Sequence, residues 1–282
     1  MTRYVLTAGR PVLLRPDGAV QVGWDPRRAV LVTPPDGMTQ AQLGGLLRIL
    51  QNGATRDELS TAATRFGLPE DDGAVDLLLA ALTDASLLDI ATGRAARSAS
   101  IRVHGTGPLS ELLENALKCS GARVRRAAKP YAAALPVRTD LVVLADYLVT
   151  EPRVVRELHR VGVAHLPVRV RDGIGLVGPL VIPGVTSCLQ CADLHRSDRD
   201  EAWPAVAAQL RGTVGSAPRS TILATAALAL SQVDLVIRAV GHSGDPRGAP
   251  APPPTLDTTL ELDADGYSIS ARRWTRHPAC SC

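Results

Sequence analysis

Two cysteine pairs constrain this chain more than any other feature. They are Cys188-Leu189-Gln190-Cys191 in its body and Cys280-Ser281-Cys282 at its last residues, and they take four of the five cysteines. A thiolate pair in a tight turn holds one edge of a tetrahedral ion, and a second pair closes the site. Pro183-Gly184 precedes the first pair and Pro278 the second, so both stand in turn-forming contexts. Four sulfurs leave no open position for a substrate, so the expected ion, zinc, is structural rather than catalytic. It would pin the tail to the middle of the chain. The competing readings are disulfides, which need an oxidising compartment, and buried free thiols, which do not call for paired spacing. No secretory signal is recognisable, and the expected compartment is the cytoplasm. Cys119 follows Lys118 in a helical pattern and is expected as a buried thiol.

A length of 282 residues suits two domains of ordinary size. The net charge of +3 is too small to imply nucleic acid, and the basic residues are arginines except for Lys118 and Lys129. The most apolar run, residues 222–240, contains Gln232, Asp234 and Arg238, so a core helix is expected there and no membrane span.

Residues 1–95 read as short strands followed by helices. Strands are expected at 11–15, 19–23 and 29–33, separated by Pro16-Asp17-Gly18 and Asp25-Pro26-Arg27. Thr39 and Thr55 open two helices, and Asp71 or Asp72 a third carrying Val75, Leu78, Leu79 and Leu82. Residues 87–90 suit a closing strand. A small sheet with three helices is winged-helix-like. Residues 70–88 hold acids and no bases, which speaks against a DNA-reading third helix.

Residues 91–100 are small and polar, a linker, and a βαβ pattern starts at Ile101. Strands are expected at 101–104, 122–126, 140–146 and 164–171, with helices from Ser110 and over 151–161, which says Rossmann-like. The Gly105-Thr106-Gly107-Pro108-Leu109 turn invites a phosphate. It lacks a third glycine, Pro108 removes an amide, and no acid ends the second strand, which reads Arg123-Val124-Arg125-Arg126. Gly105, Gly107 and Asp146 are therefore expected as a vestigial nucleotide site. Residues 193–201 read as a solvated charged segment in which His195 is an open candidate for a base or ligand. Residues 221–240 form a helix with the stripe Leu223, Ala227, Leu230, Val233 and Ile237, followed by a proline-glycine loop over 242–255. A hairpin around Asp265-Gly266 leads into the last cysteine pair.

From Ile101 onward the order of features resembles the ThiF/MoeB family of adenylyltransferases. It shares the glycine turn, Asp146 after an apolar strand, Gly178-Pro179 to Pro183-Gly184 leading into CxxC, and the terminal cysteine pair. The chain departs from that family where the family binds ATP. The acid after the second strand, the Asn-x-x-Arg segment, a lysine beyond Lys129 and a free cysteine after the CxxC are all missing. As a whole it is more similar to the ThiF-like partner proteins of azoline-forming cyclodehydratases, through Arg15-Pro16-Asp17-Gly18 with Gln21-Val22-Gly23 and through residues 178–184. The resemblance implies an α/β chain with a winged-helix-like peptide clamp over 1–95. A ThiF-like Rossmann-type domain with a zinc tetrathiolate (Cys188, Cys191, Cys280 and Cys282) would follow over 96–282. It further implies a homodimer, a precursor leader peptide added as a strand at Val30, Leu31 and Val32, and a YcaO-type partner that uses ATP. The expected role is then peptide presentation without catalysis. The alternatives are an active adenylyltransferase and a winged-helix regulator.

Overall fold

Short apolar runs broken by Pro-Asp-Gly and Asp-Pro turns can pair only with near neighbours, and at the N-terminal end they do. In the computed structural model, which describes residues 2–7, 9–68, 73–92, 97–127, 138–242 and 251–282, β2 (Val12–Leu14), β3 (Val20–Val22) and β4 (Val30–Val32) form an antiparallel meander. A second small sheet was not anticipated. There β1 (Thr2–Leu6) runs between β5 (Ala54–Thr55) and β6 (Leu88–Thr92). Three helices join the two sheets: α1 (Gln40–Gln51), α2 (Arg56–Arg65) and α3 (Ala74–Asp84).

The helix starts follow the sequence. Thr39 and Thr55 each close a capping box, with Gln42 and Glu58 reaching back to the cap amide. Asp71 and Asp72 lie outside the described residues, and α3 starts after Gly73, whose φ is 61°. Leu43, Leu46, Leu47 and Leu50 of α1 are buried with Val20, Val22, Leu59, Leu78 and Leu82 in one core. Each such side chain contributes about 1.5–3 kcal/mol by leaving water. Gly44 keeps α1 close to β2, since a Cβ there would stand 2.8 Å from Leu14.

The chain divides into two units, Met1–Ala95 and Ala96–Cys282. In the second unit, fully apolar strands make a parallel sheet possible. β7 (Ser100–His104), β8 (Arg123–Ala127), β9 (Leu141–Ala145) and β10 (Ala164–Arg171) are parallel. All five β9 residues are buried. Three further strands, β11 (Ile174–Val177), β12 (Thr258–Asp263) and β13 (Ser268–Arg273), extend it antiparallel, giving one mixed sheet in the order β13-β12-β11-β10-β9-β7-β8.

Among the described residues five helices complete this unit: α4 (Pro108–Leu117), α5 (Pro152–Arg160), α6 (Leu189–Ser197), α7 (Trp203–Gln209) and α8 (Arg219–Gly241). Ser110, expected to open α4, is its third helical residue, and Gly107 is the cap. Among the described residues α8 alone is long and apolar enough to cross a membrane, and it packs on α4, β10, β11 and β12. Its buried face matches the expected stripe at Val233, with Leu230 and Ile237 partly buried against the core, and departs from it elsewhere. Thr221, Thr225, Ala226, Ala229, Gln232 and Val233 are buried, whereas Leu223 is 46% exposed. Small side chains win there because α8 approaches closely. A Cβ at Gly175 of β11 would collide with the Thr225 hydroxyl. Cys119, expected buried, is exposed because α4 ends at Leu117 and its apolar face ends with it. Lys129 and residues 243–250 of the proline-glycine loop lie outside the described residues.

Candidate functional site

The two cysteine pairs come together. Cys188 opens α6 and its Sγ accepts the Cys191 amide at 3.4 Å, so the helix start itself sets the pair. The Cys188 Sγ lies 3.7 Å from Cys191 and 3.6 Å from Cys280, and Cys191 lies 3.4 Å from Cys282. All four sulfurs fall within 4.8 Å of one another. A disulfide needs about 2.05 Å, so none is formed. An ion bound by four thiolates at about 2.3 Å would space them by roughly 3.8 Å, so the set fits a tetrahedral metal. Cys188 and Cys191 are buried and the tail pair half-buried. Burial pushes the Cys188 thiol well up. Burial acts the same way on Cys191, but backbone hydrogen bonds with His277 and Cys188 outweigh it and bring that thiol down to about 7, within reach of the ligating thiolate.

The tail is held by more than sulfur. Trp274 donates its indole N–H to Thr259 at 2.9 Å, and the Arg276 guanidinium donates to the Gly184 carbonyl at 2.7 Å. His195, an open candidate in the sequence, lies on α6 and contacts the Thr275 carbonyl at 3.1 Å. With Asp198 and His277 it makes a second close group of possible ligands. His277, however, accepts the Ala279 amide on Nδ1 at 3.1 Å and meets Asp198 through Nε2 at 2.9 Å. Both ring nitrogens are therefore in use, and the group is a strap between the tail and α6. Residues 193–197, expected as a solvated segment, are helical.

At the glycine turn the chain provides its own anion. The Asp146 carboxylate, 1% exposed, accepts the amides of Gly107 at 2.7 Å, Leu109 at 2.9 Å and Ser110 at 3.2 Å. These are the groups a phosphate would take at a helix N-terminus. The glycines are explained by that approach. A Cβ at Gly105 would stand 2.7 Å from one Asp146 oxygen, and a Cβ at Gly107 2.6 Å from the other. Arg126, where the sequence lacks an acid, donates to the Ser110 hydroxyl at 3.1 Å. Gly105, Gly107 and Asp146 thus do come together, with the carboxylate seated on the amides.

In the first unit β4 pairs only with β3 among the described residues. The hydrogen bonds from Arg15 to Ala19 and from Gly23 to Pro11 fix the β2–β3 ladder, so Gln21 spends its backbone groups on β2. Val20 and Val22 then bond to Val32 and Val30. Leu31, opposite Gln21, turns its N–H and C=O to the open side. Val30 and Val32 pack on the core, while the Leu31 side chain is 53% exposed. α3 packs on α2 and β6.

No family model matches the chain, and neither does any curated protein. Solved structures do. A heterocyclase described in complex with substrate and cofactor matches with TM-score 0.69 and 15% identity, over all of this chain and 39% of that one. The heterocyclase TruD matches with TM-score 0.68 and 18% identity, over 100% and 42%. MccB of E. coli, in a structure with ATP, matches with TM-score 0.55 and 15% identity over 99% of each chain. The chain therefore spans about two fifths of the heterocyclase chains and the whole of MccB. In fold, the chain is similar to these heterocyclases and to MccB.

Proposed function

We propose that this chain is a peptide-presenting subunit of heterocycle-forming biosynthesis. Its first unit, a winged-helix-like clamp over residues 1–95, takes up a precursor leader peptide as an added strand on β4. A YcaO-type partner then performs the ATP-dependent chemistry in the cytoplasm. The observation that carries this reading is the β4 edge, where the Leu31 amide and carbonyl face outward while Val30 and Val32 anchor the strand in the core. Strand addition uses such outward backbone groups for affinity and neighbouring pockets for selection.

The second unit is the scaffold. Cys188, Cys191, Cys280 and Cys282 hold a structural zinc, and the broad partly exposed face of α8 around Leu223 serves a homodimer. Asp146 on the α4 amides supports a turn without ATP turnover. One observation favours a second reading, an active adenylyltransferase: the chain and MccB, known in a structure with ATP, cover 99% of one another.

The test is a titration of the full chain with labelled leader peptides encoded beside its gene, paired with ATP–pyrophosphate exchange. Saturable peptide binding without exchange is the expected result. Exchange with a carboxylate-terminated partner overturns it in favour of the adenylyltransferase, and binding of random duplex DNA at low salt in place of peptide favours a regulator.

A further inference from the structure

The second unit contains a pocket of about 550 Å³ that neither the metal centre nor the glycine turn explains. It opens where β9 and β10 end, beside the start of α5, and α6 and α7 close it. Five arginines line it, Arg156, Arg169, Arg171, Arg196 and Arg211, against two acids, Asp172 and Asp193. Two of the five are matched. Arg196 bonds Asp193 at 2.8 Å, and Arg171 lies 3.7 Å from Asp172.

Arg156, Arg169 and Arg211 have no carboxylate partner among the described residues. Arg169 comes from a core strand and is only partly exposed. Burial pushes its guanidinium down to about 10, with the Arg196 charge adding to the effect, so it still carries its charge at neutral pH. A desolvated cation without its own anion is costly, and among the described residues only Asp193, already bonded to Arg196, offsets part of that cost. Apart from Thr150 and Gln190 the other walls are apolar, with Val155, Leu189 and the Trp203 ring among them. The Trp203 ring is itself held in place by Arg196, 5.2 Å from its centre. The volume is in the range of small-molecule sites.

We propose that this pocket binds a phosphate-bearing small molecule, with Arg156, Arg169 and Arg211 meeting the phosphate oxygens and the Trp203 wall taking the rest of the ligand. Three guanidiniums answer a multiply charged oxyanion better than a single carboxylate, and planar forks suit phosphate geometry. The site lies beyond β9 from the glycine turn, and it stands independently of peptide capture at β4.

Calorimetric titration of the full chain with inorganic pyrophosphate and with ATP at low ionic strength tests it. Both probes should bind, and Arg169→Met should weaken both at least tenfold. Arg211→Gln should act in the same direction and keeps the test open if Arg169→Met does not fold, which the thiol count and melting temperature report. ATP binding tighter than pyrophosphate assigns the apolar wall to a nucleoside, and equal affinities assign the site to phosphate groups alone. No heat with either probe at millimolar concentration, or binding that neither substitution weakens, overturns the proposal. Peptide affinity is read separately, so failure here leaves the β4 reading standing.

Discussion

The β4 edge and the α4 N-terminus both offer backbone amides, and they differ in what meets them. At α4 the chain closes the site itself, because Asp146 takes the amides of Gly107, Leu109 and Ser110. At β4 nothing among the described residues pairs with Leu31 on its outer side. A Rossmann-like turn is usually the first place to look for a ligand. Of these two backbone sites, the open one lies in the small unit, and the amides of the glycine turn in the large unit are spent on structure. The lesson is to ask which donors are already satisfied before reading a motif as a site.

The sharpest way to break this contrast is at the metal centre. Cys191→Ser should take metal content from one per chain to none. By elemental analysis and thermal melting it should cost the second unit several kcal/mol, on the order seen when metal ligation is lost. Leader-peptide affinity should stay within about twofold, since β4 belongs to the other unit. A large loss of peptide binding would make the two regions one site.

Asp146→Ala comes next. It would leave three amides at the start of α4 without their acceptor, at an expected cost of about 2–4 kcal/mol in denaturant unfolding. A variant as stable as the parent would mean that the amides are free for a ligand after all.

Acid separates the two units. All six histidines lie beyond residue 95. His165 is fully buried, and burial holds it down to about 4, below its ordinary 6.5, while its bond to the Val163 carbonyl opposes the shift. Between those values the unfolded chain binds a proton that the native chain refuses. Stability of the second unit should therefore fall as pH drops from 6.5 toward 4, by up to about 1.4 kcal/mol per pH unit. His165→Leu should flatten that slope in melts taken across this range.

Leu31→Pro is the smallest change in stability. It removes one outward amide at an edge that tolerates proline. Peptide binding should weaken about tenfold, near 1.4 kcal/mol, with the melting temperature almost unmoved.

Much of this architecture was readable because its signals are local. Thr39 and Thr55 announce their helices, and β10 follows its expected bounds, because capping and strand patterning depend on neighbouring residues. The four cysteines were readable through their spacing. What was missed depends on distant pairing. β1 and β5 exist only through partners tens of residues away in the sequence, and a two-residue strand has no period of its own. The inward face of α8 departs from its apolar stripe at Leu223 because a close helix–sheet approach prefers Thr and Ala over the leucines that dominate a periodicity reading. The seat of Asp146 had a signal, an acid ending a buried strand next to a glycine turn, but only the fold shows which amides it reaches. Of the five arginines of the pocket only Arg169 and Arg171 share an element, β10, and Arg156, Arg196 and Arg211 reach it from distant parts of the sequence.

Amide hydrogen exchange of the full chain, with and without a saturating leader peptide, tests the central claim most directly. The account predicts that the Leu31 amide becomes strongly protected on binding while the Gly107, Leu109 and Ser110 amides, already held by Asp146, do not change. A bound peptide that leaves Leu31 exchanging as before, or that protects the α4 amides instead, would contradict it.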